Sequence, residues 1–277
     1  MTATFALIVD TFREAMARKI FWGLFGLSLL MVLFFLFIMK IDVVEGATAT
    51  ITLFGQKAGG EHRDMAVDKL VKQVHSSIST FLYSFGMFLA VFASAGLIPS
   101  VLEPGRIEVM LSKPISRAHL LMGRFIGNVL VVSCNIVLLV GGVWLIFGWK
   151  TGVWSPGFLV AIPSTIFVFS VLLTVVVLAG VLWESTAVST MIPVVMMILS
   201  PILAQEETAR KLLSSEWSRQ LWLFLYVALP KVYDVGKMTL DITLGQGAGS
   251  WWPIWSSGAF GILVYGAAQW IFEKRDF

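Results

Sequence analysis

The chain has 277 residues, 57% of them hydrophobic and only 13% charged, with a net charge of +3 and a mean hydropathy of +0.86. A water-soluble domain of this composition could not cover its surface with polar groups, so the surrounding solvent is lipid. The apolar runs are continuous rather than alternating, which excludes a closed barrel and leaves an all-α polytopic membrane protein.

Residues 1–19 predict an amphipathic helix, with Phe5, Ile8, Val9, Phe12 and Met16 on one side and Asp10, Arg13, Glu14 and Arg18 on the other. Such a helix lies in the headgroup plane and enters the bilayer at an elbow; an ordinary soluble first helix is the plainer alternative. Several runs then reach the ~20 apolar residues that cross a ~30 Å hydrocarbon core. The first span is Ile20 to Met39, the second about Phe81 to Leu102, the third about Leu120 to Phe147 and the fourth about Phe158 to Trp183. A fifth, Val188 to Leu203, carries Pro193 and Pro201 and is expected to kink; a sixth covers Ile254 to Phe272. Between the first two spans, residues 40–80 hold a strand-like patch (Thr48 to Phe54) and a turn at Gly59-Gly60. A helix follows, marked by Met65, Leu70, Val74, Ile78 and Phe81, which is expected to run straight into the second span. Residues 204–253 hold a polar helix candidate, Glu206 to Arg219, and then the apolar run LWLFLYVAL closed by Pro230. That run is too short to span and predicts an interfacial or re-entrant element.

Lysine and arginine placement orients the spans. Arg13, Arg18 and Lys19 precede the first, Arg106, Lys113, Arg117 and Arg124 lie around the loop between the second and third, and Lys274 and Arg275 follow the last. The bias puts both termini and residues 103–118 in the cytoplasm, with 40–80 and 204–253 outside. The net charge adds little to this, and no nucleic-acid partner is expected. Catalytic and metal constellations are not evident: the histidines are His62, His75 and His119, the single cysteine is Cys134, and no H-E-x-x-H occurs. Cys134 is expected to serve packing. No G-x-x-x-x-G-K-[ST] loop is present, so ATP is not expected to bind this chain through such a loop, and no catalytic role is expected of it.

The connection from Glu103 to Asn128, EPGRIEVMLSKPISRAHLLMGRFIGN, carries a pattern at Glu103, Gly105, Glu108, Leu111, Pro114, Ile115, Ser116, Arg117, Gly123 and Arg124. It resembles the permease subunit of type 2 ABC exporters, with Met110-Leu111 in place of a leucine pair and Arg124 where lysine is usual; the ending IFEKRDF is similar too. Within those permeases the chain resembles the branch named for multi-copper enzyme maturation. The resemblance implies one exporter transmembrane domain over residues 1–277, multi-pass in a bacterial inner membrane. It also implies a separate ATPase subunit carrying ATP and Mg, and a second permease, identical or paralogous. The coupling residues it implies are Glu103, Arg106, Glu108, Leu111, Lys113, Pro114 and Arg117, with a second coupling point at Glu184 between the fourth and fifth spans. In physical terms, a short helix bearing Ile107, Met110 and Leu111 and stopped by Pro114 can dock into a groove of a cytoplasmic partner. The plain alternative is a solvated loop whose arginines fix topology. Gly123 and Gly127 permit close helix contact, either at a dimer face or within one chain.

Nearly charge-free spans suit a lipid-like or amphiphilic cargo entering from the membrane lipid. Copper would want soft ligands, for which Met87, Met191, Met196 and Met197 are candidates, although methionine also fills gaps in apolar packing. Two other classes stay open. A secondary transporter or channel needs ionisable groups inside the spans, whereas Arg124 and Glu184 are expected to reach the interface. A non-exporting partner that transmits mechanical work is the other.

Overall fold

A computed structural model describes residues 9–14, 16, 19–44, 48–53, 56–57, 65–96, 99–100, 116–205 and 215–275. Helix α1, Lys19–Leu33, carries no charge beyond its first residue and continues as a π-helical turn, Phe34–Ile38. The wider turn and the helix end leave carbonyls without the ordinary partner. Lys150 supplies it from the last turn of α3 (Arg117–Thr151), donating to Phe35 O at 2.8 Å and Leu36 O at 2.6 Å. A cation also suits the negative end of a helix dipole.

Beyond α1 the strand-like patch is a strand. Thr48–Leu53 (β2) pairs antiparallel with Met39–Val44 (β1), Ile41 opposite Ile51, and short strands Gln56–Lys57 (β3) and Met65–Ala66 (β4) also pair with β2. The turn at Gly59-Gly60 lies outside the described residues. Helix α2, Val67–Ala95, is continuous for 29 residues and includes one π-helical turn at Leu82–Gly86. The helix expected before the second span therefore does run into it. Its first turns bury Val67, Leu70, Val71 and Ile78, and its α-helical part ends at Ala95 rather than near Leu102.

Helix α3 has 35 residues, about 52 Å at 1.5 Å per residue, so it exceeds the hydrocarbon thickness. A 3₁₀ turn, Pro156–Val160, leads into α4, Ala161–Trp183. Pro163 sits in its first turn, where no backbone N–H is needed. Helix α4 is the axis of the molecule: 72% of its apolar window is buried, with Val168, Phe169, Leu172 and Val176 packed among the neighbouring helices. Helix α5, Thr186–Leu203, keeps both internal prolines. Then come α6 (Glu216–Ala228), α7 (Val232–Leu244) and α8 (Trp252–Lys274). Most of the polar helix candidate, residues 206–214, lies outside the described residues; its last residues, from Glu216, share α6 with the apolar run, and α6 buries none of its residues.

Among the described residues, four helices are long and apolar enough to cross a membrane: α2, α3, 156–183 and α5; Phe21–Phe37 forms a shorter apolar helix. Tryptophans support the same membrane axis. Exposed Trp22, Trp183 and Trp270 lie toward the end where α3 begins, and exposed Trp149, Trp154, Trp252 and Trp255 toward the other. Tryptophan concentrates at the two membrane interfaces. Along α8 the step from Trp252 to Trp270 is about 27 Å, close to a ~30 Å core. The protein is thus a polytopic, all-helical membrane protein with a small sheet outside its apolar helices.

Candidate functional site

Two charged clusters lie toward the end of the bundle where α3 starts. Ser116 caps that helix, its Oγ accepting from His119 N at 3.3 Å and lying 2.5 Å from His119 Nδ1. Capping here is what lets the helix begin directly after Pro114-Ile115. Arg117, the first helical residue, reaches across to the end of α8 and donates to the carbonyls of Glu273, at 3.1 Å, and Arg275. Those carbonyls have no partner within their own helix, and one guanidinium nitrogen, Nη1 with its two hydrogens, satisfies both. Arg275 in turn donates to Val181 O and pairs with Glu184. Glu184 closes α4 in a left-handed conformation, φ 51° and ψ 19°, its N–H bonded to Gly180 O at 3.0 Å. A non-glycine residue there is disfavoured by roughly 1–2 kcal/mol, and the ion pair with Arg275 helps hold it. Arg117 and Glu184, expected from different loops, are therefore joined through Arg275, which the sequence marks as a topology charge and as part of the ending IFEKRDF.

Two turns into α3 lies a second charged cluster. Arg124 is 1% exposed and pairs with Glu14, and with Asp10 at 3.3 Å. Its guanidinium is buried within the protein and held by carboxylates from the N-terminal segment. A buried arginine stays charged and must be compensated. Within 9–14, Asp10 and Glu14 of the expected polar side both lie against α3 at Arg124, and Asp10 stays largely exposed. Thr11, fully buried, sits on Gly127, where any Cβ would come within 2.6 Å of the Thr11 Cβ. Gly142, farther along α3, receives Val32 of α1, which would approach an added Cβ to 3.1 Å. Gly123 is buried on the same helix. Both Gly127 and Gly142 thus accept packing from this chain itself.

Glu103, Arg106, Glu108, Leu111, Lys113 and Pro114 fall outside the described residues, as do Phe5, Ile8 and Arg18. Cys134 is exposed rather than packed inside. Among the methionines, Met87 is buried in the core whereas Met191 faces outward, so the soft-ligand candidates are divided between interior and surface. His75 is buried near the opposite end of the bundle from His119, stacked on Phe158 at 4.1 Å.

A model of the ABC-2 family transporter protein matches residues 6–277. The chain belongs to this ABC-2 family. It is accordingly the membrane permease component of an ABC transporter, which implies an ABC ATPase as partner. No curated protein matches it at a significant level. The two clusters now acquire a place in an ABC-2 permease: one joins the ends of α3, α4 and α8, and the other fixes the N-terminal segment to α3.

Proposed function

We propose that this permease is the membrane subunit of an ATP-driven exporter with six spans, α1 to α5 and α8, in a bacterial inner membrane. Its termini and the Arg117 end face the cytoplasm, where a separate ATPase carries ATP and Mg. A second permease, identical or paralogous, completes the pathway. Helix α5 supports a further contact, since only 28% of its apolar window is buried, leaving Met191, Val195, Ile198 and Ile202 for lipid or that second subunit.

The observation that carries the reading is the Arg117–Arg275–Glu184 network. Residues 103–118 end at Arg117 and the α4–α5 connection is at Glu184, so a displacement of the loop would act on α3, α4 and α8 together. The coupling residues are Glu103, Arg106, Glu108, Leu111, Lys113, Pro114, Arg117 and Glu184. Cargo is lipid-like or amphiphilic, in keeping with the apolar surfaces of the helices. Affinity purification of the tagged chain from its native membrane, with mass spectrometry, tests the assignment. A stoichiometric ATPase that is lost on Glu108→Lys supports it; absence of any ATPase under conditions that preserve other complexes overturns it.

A further inference from the structure

Between α2, α5 and α7 the helices part around a cavity of about 400 Å³, within the ~300–1,000 Å³ range of small-molecule sites. A crevice among α1 to α4 encloses only about 40 Å³. The larger cavity is sorted by polarity along α2. Ser79 and Thr80 line it at the end nearer the sheet, with Lys237 of α7 beside them. Phe88 lies nine residues farther along α2, about 13 Å deeper, with Val194, Met197 and Ile198 of α5 on the opposing wall. Ile198 and Tyr233 are exposed at its rim, so the cavity opens sideways, where lipid would lie.

Two observations point to an occupant. Ser79 is fully buried and its hydroxyl has no hydrogen-bond partner, although buried polar groups in native proteins are nearly always satisfied. By contrast, Thr80 and Ser84 donate to Ser76 O and Thr80 O on their own helix, at 2.9 and 2.5 Å. Lys237 forms no ion pair with a described carboxylate. An ammonium at one end of an apolar chamber, with the unsatisfied Ser79 hydroxyl buried in its wall, matches an anionic head group followed by a hydrocarbon tail.

We propose that the cavity between α2, α5 and α7 binds a single anionic amphiphile, its head at Ser79 and Lys237 and its tail between Phe88 and α5. The order of the walls matches an amphiphile standing in the leaflet on the sheet side, head toward water and tail toward the bilayer centre. This deepens the exporter reading by naming the class of its ligand, and rests on that reading only for treating the ligand as cargo.

The test uses the full chain in phosphatidylcholine nanodiscs with a diazirine-bearing hexadecyl phosphate and, as neutral counterpart, the corresponding hexadecanol. Crosslinked peptides are quantified by mass spectrometry. The phosphate is expected to label the peptides containing Phe88 and Met197 about tenfold more than the alcohol. Lys237→Gln and Ser79→Ala should each shrink that preference. Met197→Trp should abolish labelling of both peptides while outward-facing Ile262 in α8 stays labelled, showing a folded, inserted chain. Equal labelling by the two probes, an unchanged preference in Lys237→Gln, or persistent labelling in Met197→Trp overturns the proposal. An ATPase that co-purifies with a chain showing no such labelling leaves the exporter standing without this site. Labelling of a chain that recovers no ATPase does the reverse.

Discussion

Arg124 holds the N-terminal segment in place through charge. Its guanidinium is buried in α3, and the compensating carboxylates come from more than a hundred residues earlier in the chain. Removing one member of such a pair leaves a charge stranded in a low dielectric, at a cost of about 3–5 kcal/mol. Glu14→Gln removes the less exposed of the two carboxylates and leaves Asp10 as partner, so it should lower the thermal stability of the purified chain by less than that full cost. The combined change Asp10→Asn, Glu14→Gln and Arg124→Met should recover most of that loss, because no stranded charge remains. Strictly additive losses in thermal melts would refute the pairing. Half of this site is legible in the sequence: Asp10 and Glu14 are four residues apart on one helical face, and Gly123-Arg124 stands out in the motif. Their meeting is not, because an arginine near a helix end can either reach the interface or recruit a counter-charge. Only the approach of Thr11 to Gly127 decides between them.

Helix α7 shows how an element outside the long spans is held. Its first N–H groups need acceptors, and two serines from other helices supply them: Lys231 N donates to Ser257 Oγ of α8 and Tyr233 N to Ser200 Oγ of α5, both at 2.9 Å. Ser257→Ala leaves the Lys231 N–H buried without that acceptor and should cost about 1–3 kcal/mol. Faster amide exchange confined to the start of α7 is the matching signature. Lys231 itself is pulled below the ordinary lysine pKa by burial, opposed by the nearby Asp234 carboxylate. A base whose folded-state pKa is lowered weakens the fold while protonated and ceases to do so as pH rises toward the ordinary value of ~10.4. The melting temperature of the native chain should thus gain with rising pH relative to Lys231→Met, in which that contribution is absent; parallel profiles would show that Lys231 does not contribute. In the sequence, Val232, Val235, Met238, Thr239, Ile242 and Thr243 do carry a helical period. Pro230, three charged residues and the surrounding polar segment hide it, and no helix is predicted between Pro230 and the sixth span. The strand Thr48–Leu53 is legible from alternation, whereas its partner Met39–Val44 is not. The expected first span takes in Met39, and the short stretch after it, Lys40 to Val44, has no turn signal before it to set a strand apart.

Across the whole molecule, two arginines join three helix ends that are far apart in sequence, and Glu184 occupies a conformation that glycine would adopt more readily. Stability and coupling can therefore be separated at this one residue. Glu184→Gly removes the left-handed backbone cost of roughly 1–2 kcal/mol while deleting a partly exposed ion pair that contributes a similar or smaller amount. Its melting temperature should stay close to that of the native chain. Coupling should not survive so well, because Arg275 loses the contact that ties α8 to the α4–α5 connection. In the reconstituted complex, stimulation of ATP hydrolysis by amphiphile should fall several-fold in Glu184→Gly and in Arg275→Glu. The exchange Glu184→Arg with Arg275→Glu should recover part of it by restoring an opposite-charge pair. Full stimulation in both single variants would mean that the network only fastens the bundle, and that ATPase movements enter through residues 103–115 alone.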